Sequence, residues 1–163
     1  MFPPLLSEFD NEMAVTRRLI ERAPQAAFAW TPHERSRTLG ALVTHLAQIP
    51  HWGNAIITRD EYDLVLDAEG RGVEYDTPGL ALLAFDGHVK TVRRGLAETT
   101  DAILRSPWML KKNGHVVMSM PRLAALRSFL INHTIHHRGQ LSVYLRLQNV
   151  SLPPIYGPTA DES

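Results

Sequence analysis

The segment Asn132-His133-Thr134-Ile135-His136-His137-Arg138-Gly139-Gln140 concentrates three histidines on what reads as one helix. Residues four apart on a helix share a face, one turn apart, so His133 and His137 present their rings side by side. Two imidazoles at that spacing can converge on a single ion, as in zinc-binding helices. His136 is rotated about a quarter turn from His137, so the two cannot both point inward.

The face that carries the pair is apolar. Leu126 and Leu130 precede it, and Leu141 and Tyr144 follow. Burying two imidazoles together is costly unless each is hydrogen-bonded or bound to something. A metal satisfies both lone pairs and keeps the rings neutral. A third ligand must then come from another helix, and His45, between Leu42 and Leu46 near the apolar face of the second helix, is the candidate. Three neutral histidines leave positions open for water or substrate, the pattern of catalytic rather than structural sites. The plainer alternatives are surface histidines for the pair and a satisfied core histidine for His45; the combination of all three favours the ion. His33, His51, His88 and His115 read as surface residues, with a spare-ligand role as the alternative for His51, whose direction depends on Pro50. Gln140 and Tyr144 continue the stripe and are the candidate catalytic residues; they either orient bound water or substrate or simply pack. Trp52, seven residues after His45, either walls a pocket or fills the core. Arg138 pairs with an anionic substrate or, more commonly for such a residue, with a surface carboxylate.

Other chemistries find no support. The chain has no cysteine, so it forms no disulfide and offers no thiolate ligand, and any thiol nucleophile must come from outside it. There is no His-Glu-x-x-His, no Gly-x-Ser-x-Gly and no phosphate-binding glycine loop. Lys plus Arg and Asp plus Glu number 17 each, which gives no electrostatic footprint for nucleic acid. The Arg17-Arg18, Arg93-Arg94 and Lys111-Lys112 pairs are too short to change that. The first residues lack a basic stretch followed by an apolar run, and no segment is apolar for long enough to span a bilayer. A soluble cytoplasmic protein, with no membrane partner, is the expectation.

Four amphipathic helices must position these residues. The first runs from about Pro4 to Arg22, with Leu5, Phe9, Met13 and Ile20 near one face, and ends at Ala23-Pro24. The second is capped by Ser36 or Thr38, carries Leu39, Leu42, Leu46 and Ile49, and should kink or break at Pro50. The third starts at Thr77-Pro78, with the stripe Leu82, Phe85, Val89, Val92 and Leu96. The fourth runs from near Met120-Pro121 to about Gln148. Residues 59–76, with Gly70 and Gly72, read as an irregular loop. Residues 108–119 read as a small hairpin turning at Asn113-Gly114. The tail from Pro153 should be extended. Four such helices imply a bundle.

The stretch from Asn132 to Leu141 closely resembles the signature of the DinB-like proteins, and its His-His-Arg-Gly-Gln block is quite specific. Trp30-Thr31-Pro32 and Thr38 to Leu46 resemble a second block of that family, and Pro154 to Glu162 resembles the tail of one subgroup. The resemblance spans nearly the whole chain. It implies one all-α domain over residues 1–163: a four-helix bundle in up-down-down-up order, with the small β-hairpin between helices 3 and 4. It implies one divalent metal ion, zinc or nickel, on His45, His133 and His137, the same three residues that periodicity selects. The wider superfamily includes metal-dependent transferases and isomerases that use low-molecular-weight thiols, and many members form homodimers. The implied function is therefore a transferase taking a small thiol and an electrophilic small molecule. The alternative is a non-catalytic, metal-stabilised bundle acting as a homodimeric binding or stress-response protein.

Overall fold

The computed structural model describes residues 3–67 and 73–162. Helix α1 (Pro3–Glu21) stops just before Pro24, and a single 3-10 turn (Gln25–Ala27) follows. Helix α2 (Leu39–Thr58) begins where Thr38 Oγ1 accepts the Ala41 N–H at 3.1 Å. Of the two capping residues the sequence offers, Thr38 is the one used. Helix α3 (Pro78–Glu98) starts in the same way: Thr77 Oγ1 accepts the Leu80 N–H at 3.1 Å, with Pro78 at a position whose N–H would be unpaired anyway. A short helix α4 (Asp101–Arg105) is capped by Thr100. The last helical segment is composite. Helix α5 (Arg122–Ala125), a π-helical stretch (Leu126–Asn132) and helix α6 (His133–Leu147) run on without interruption.

Helix α2 continues through Pro50, where the sequence predicts a kink or break. An interior proline forfeits one backbone hydrogen bond, at about 3 kcal/mol. Buried Leu46, Ala47 and Ile49 before it and Ala55 and Ile56 after it hold both halves on the same core, and that burial outweighs the loss.

The core lies where α1 and α2 each meet both α3 and α6. Phe9, Met13 and Ile20 enter it from α1, Leu42, Leu46 and Ile49 from α2, Phe85 and Val92 from α3, and Leu126, Leu130 and Leu141 from the composite helix. Gly53 marks the closest approach: a Cβ there would sit 2.8 Å from Leu130 Cδ2 and 3.2 Å from Val92 Cγ1.

The fold is mostly helical but not all-α, because a three-stranded sheet of order β1-β2-β3 closes one side. Strands β2 (Pro107–Lys112) and β3 (His115–Pro121) form the hairpin expected near residues 108–119. Asn113 (φ 52°) and Gly114 (φ 81°) make its turn in the left-handed region that these two residue types tolerate. Strand β1 (Glu61–Asp63) falls in the stretch read as irregular loop and pairs in parallel with β2. Three residues are too few to show an alternating pattern. What fixes them is Asp63, whose carboxylate accepts the N–H groups of Val65, Leu66, Asn113 and Gly114 at 2.6–3.0 Å. Burial alone would push that carboxyl up, but the four backbone bonds override it and hold it well below the usual carboxylate range. Gly70 and Gly72 lie outside the described residues.

Arg138 is not a surface residue. It is 1% exposed and sits 2.6 Å from Glu12 of α1, with its other Nη donating to Tyr156 Oη at 2.6 Å. The tail expected to be extended from Pro153 carries no helix or strand but bends at residues 155–157 and 160–161, and it is fastened by Asp161 on Arg146 and the Leu152 N–H and by Glu162 on Arg22. Among the described residues no helix is long and apolar enough to cross a membrane.

Candidate metal centre

His45 projects from the second turn of α2, and His133 and His137 stand one turn apart at the start of α6. The three rings converge. Their centroids are 4.4–5.0 Å apart. His133 Nε2 lies 3.2 Å from His45 Nε2 and 3.0 Å from His137 Nε2. A tetrahedral ion with Zn–N bonds of about 2.0–2.1 Å needs ligand nitrogens about 3.3 Å apart. Among the described residues, this is the group of His, Asp or Glu side chains whose ligand atoms, all within 4.8 Å of one another, could hold a metal ion.

The tautomers support that fit. Gln140 Oε1 can only accept, so at 2.7 Å it draws the proton of His137 onto Nδ1. His133 Nε2 is likewise turned to the cluster, within 3.2 Å of His45 Nε2, while the Phe129 backbone favours a proton on its ring. The lone pair of His137 Nε2 then faces His133 Nε2 across 3.0 Å. Such a neutral imidazole nitrogen is a ready ligand for a cation. Anchoring the far ring nitrogen on a carbonyl or amide oxygen is also how ligating histidines are oriented in metal sites.

Electrostatics keep the donors ready. Burial pushes the His45 imidazole down to about 3, helped by the charges of His137, Arg37 and His133. Burial also lowers His133, against the pull of the Phe129 bond, and lowers His137, against the pull of Gln140. All three are neutral at pH 7, the form that coordinates.

Two grooves flank the cluster. One of about 160 Å³ is lined by Arg37, Thr44, His45, Gln48 and Glu74. The other, about 250 Å³, is lined by Arg35, Arg37, His137, Gln140 and Tyr144. Tyr144 Oη donates to the Arg37 carbonyl at 3.2 Å, and its ring meets Trp30 edge-on at 5.6 Å. Gln140 and Tyr144 therefore do line the site, with their polar groups engaged in positioning His137 and the Arg37 loop. Trp52 does not reach the grooves; it packs on Tyr62 and Phe129, with ring centroids 5.0 and 6.4 Å away. His136 is exposed, its ring 4.8 Å from that of His137 and outside the cluster. His51 is no spare ligand: it faces His88 at 5.5 Å, and His88 Nδ1 lies 3.1 Å from the Ala47 carbonyl, so His88 is not a lone surface residue. Arg37 and Phe129 escaped the sequence reading. The first sits in a loop without periodicity. The second acts through its backbone within a π-helical stretch, a form common beside functional sites that residue types do not signal.

A helical protein with three histidines gathered from two helices is the class that fold and site define. Residues 2–163 match the DinB family, and the chain belongs to it. It is 27% identical to the uncharacterized protein YrdA of Bacillus subtilis in an alignment 162 positions long that covers 96% of this chain and 89% of that one. A DinB-like protein of Bacillus subtilis, YjoA, has a similar structure, with a TM-score of 0.73, 21% identity, and coverage of 94% of this chain and 97% of the other. A DinB-like protein of Bacillus cereus superposes with a TM-score of 0.71 at 18% identity, over 95% of this chain and 97% of its own.

Proposed function

We propose that His45, His133 and His137 hold one divalent ion, zinc or nickel, and that the protein is a metal-dependent transferase taking a low-molecular-weight thiol and an electrophilic small molecule. The observation that carries this reading is the convergence of three Nε2 atoms, with the Nδ1 atom of His137 held by Gln140. Such an ion would supply positive charge and an open position that favours a thiolate over a thiol at neutral pH. The chain does the rest. Its neutral imidazoles need shed no proton to coordinate at pH 7. With no cysteine of its own, it leaves the thiol to a co-substrate. The groove beside His137, about 250 Å³, gives a small second substrate room against Leu42 and Tyr144. Gln140 fixes the His137 ring, and Tyr144 fixes the loop that forms the opposite wall.

The same reading takes the four long helical segments as an up-down-down-up bundle. The connection of residues 59–77 is long enough to let α2 and α3 run in the same direction. It also takes the protein as a cytoplasmic homodimer, as the family resemblance implies. The test is elemental analysis of natively purified protein, followed by turnover of electrophiles with a panel of small thiols, wild type against His137→Ala. Stoichiometric metal and thiol consumption that the variant loses are expected. Metal without thiol consumption above that of the variant would overturn the transferase and leave a metal-stabilised bundle without catalysis.

A further inference from the structure

We infer that Arg37 is the anion-binding residue of this site, and that the small molecule presented to the three histidines carries a carboxylate. The inference rests on the metal-centre reading above. Arg37 lies in the loop just before α2, and its carbonyl is held from two sides, by Tyr144 Oη and by Thr31 Oγ1, both at 3.2 Å. Those bonds pin the residue between α2 and α6. Its exposed side chain lines both grooves, next to His45 in one and next to His137 in the other. Its charge acts on all three histidine rings.

Arg17, Arg22, Arg59, Arg93, Arg122, Arg127, Arg138 and Arg146 pair with carboxylates, whereas Arg18, Arg35, Arg37, Arg94 and Arg105 have no such partner among the described residues; of these five, Arg37 is the one that lines both grooves. Among the described residues no carboxylate pairs with Arg37. The charge of the site makes that telling. Three neutral imidazoles leave a divalent ion uncompensated, and Arg37 adds another positive charge beside it. Glu74, on the wall of the His45 groove, is the one described carboxylate lining either groove. A ligand that is a thiolate at one end and a carboxylate at the other balances the ion with the first and Arg37 with the second. The guanidinium fork matches a carboxylate in two parallel hydrogen bonds, a geometry an amide or alcohol cannot reproduce.

The experiment is calorimetric titration of the zinc-loaded protein with 3-mercaptopropionate and with its neutral amide, 3-mercaptopropionamide, in wild type, Arg37→Gln and Arg37→Lys. Zinc content is measured on the same samples. The wild type should bind the carboxylate about tenfold more tightly than the amide, the value of one charge-assisted contact. Arg37→Gln should bind the two alike, and Arg37→Lys should restore part of the preference. An equal preference in wild type and Arg37→Gln, with zinc stoichiometric in both, would overturn the role of Arg37. Zinc well below stoichiometry in the wild type would overturn the metal centre, and this inference with it.

Discussion

Replacing His133 by alanine gives the sharpest test of the centre, because the size of its effect depends on the metal. His133 Nε2 is the hub of the cluster, 3.2 Å from His45 and 3.0 Å from His137, so its loss leaves two nitrogens on two helices. In the metal-free protein the substitution removes a half-buried ring and its contacts with the rings of His45 and His137. The net cost should be no more than about 1 kcal/mol. In the loaded protein it removes the whole stabilisation by the ion. With free zinc at about a hundred times Kd, that stabilisation is about 2.7 kcal/mol by mass action. For a chain of 163 residues it corresponds to a rise in Tm of about 5–10 °C. The assay is thermal unfolding by circular dichroism at pH 7.5, with zinc and with chelator, for both proteins. Wild type should show the full shift and His133→Ala little or none. Equal melting temperatures for loaded and metal-free wild type would refute the idea that an ion ties α2 to α6.

Three further outcomes follow from the same geometry. Gln140→Ala frees the His137 ring and should weaken zinc affinity by about tenfold to a hundredfold in a competition titration with a chromophoric chelator; unchanged affinity would remove Gln140 from the site. Arg138→Met leaves the Glu12 carboxylate buried without its partner and should cost about 3–5 kcal/mol in urea unfolding, most of it recovered by adding Glu12→Leu; additive losses would refute the pairing. In the metal-free protein the three histidines resist protonation when folded, with His45 near 3 against about 6.5 when unfolded. The unfolded chain therefore takes up protons first, and stability should fall by about 1–2 kcal/mol, discounted for half-exposed rings, as pH drops from 7 to 4; a flat profile in wild type, or an equal slope in the triple alanine variant, contradicts this.

The parts of this molecule that are local in sequence were legible in it. The four-residue step from His133 to His137, the caps at Thr38 and Thr77, and the Asn113-Gly114 turn each depend on a few neighbouring residues, and the structure realises all of them. His45 could be singled out because it interrupts an apolar face of α2. What escaped reading depends on distant partners. Arg138 looks like any helical arginine until Glu12, across 126 residues, and Tyr156 arrive beside it. Strand β1 exists because Asp63 gathers amides from the hairpin turn some 50 residues on. Trp52 sits where an ideal helix would point it toward His45, but the aromatic pair Tyr62 and Phe129 offers it more apolar surface. Pro50 misled because its local penalty is real and the burial around it is not visible from the residue itself.

The clasp of Glu12, Arg138 and Tyr156 has a consequence for how the chain is made. During synthesis α1 emerges well before α6, with a carboxylate at position 12 that belongs in the interior. Its counter-charge is encoded more than a hundred residues later, and the tyrosine that completes the clasp later still. Until then, a docked α1 would bury an unneutralised charge, which is costly. Helix α1 thus settles only after Arg138 and Tyr156 have been made, however early it emerges.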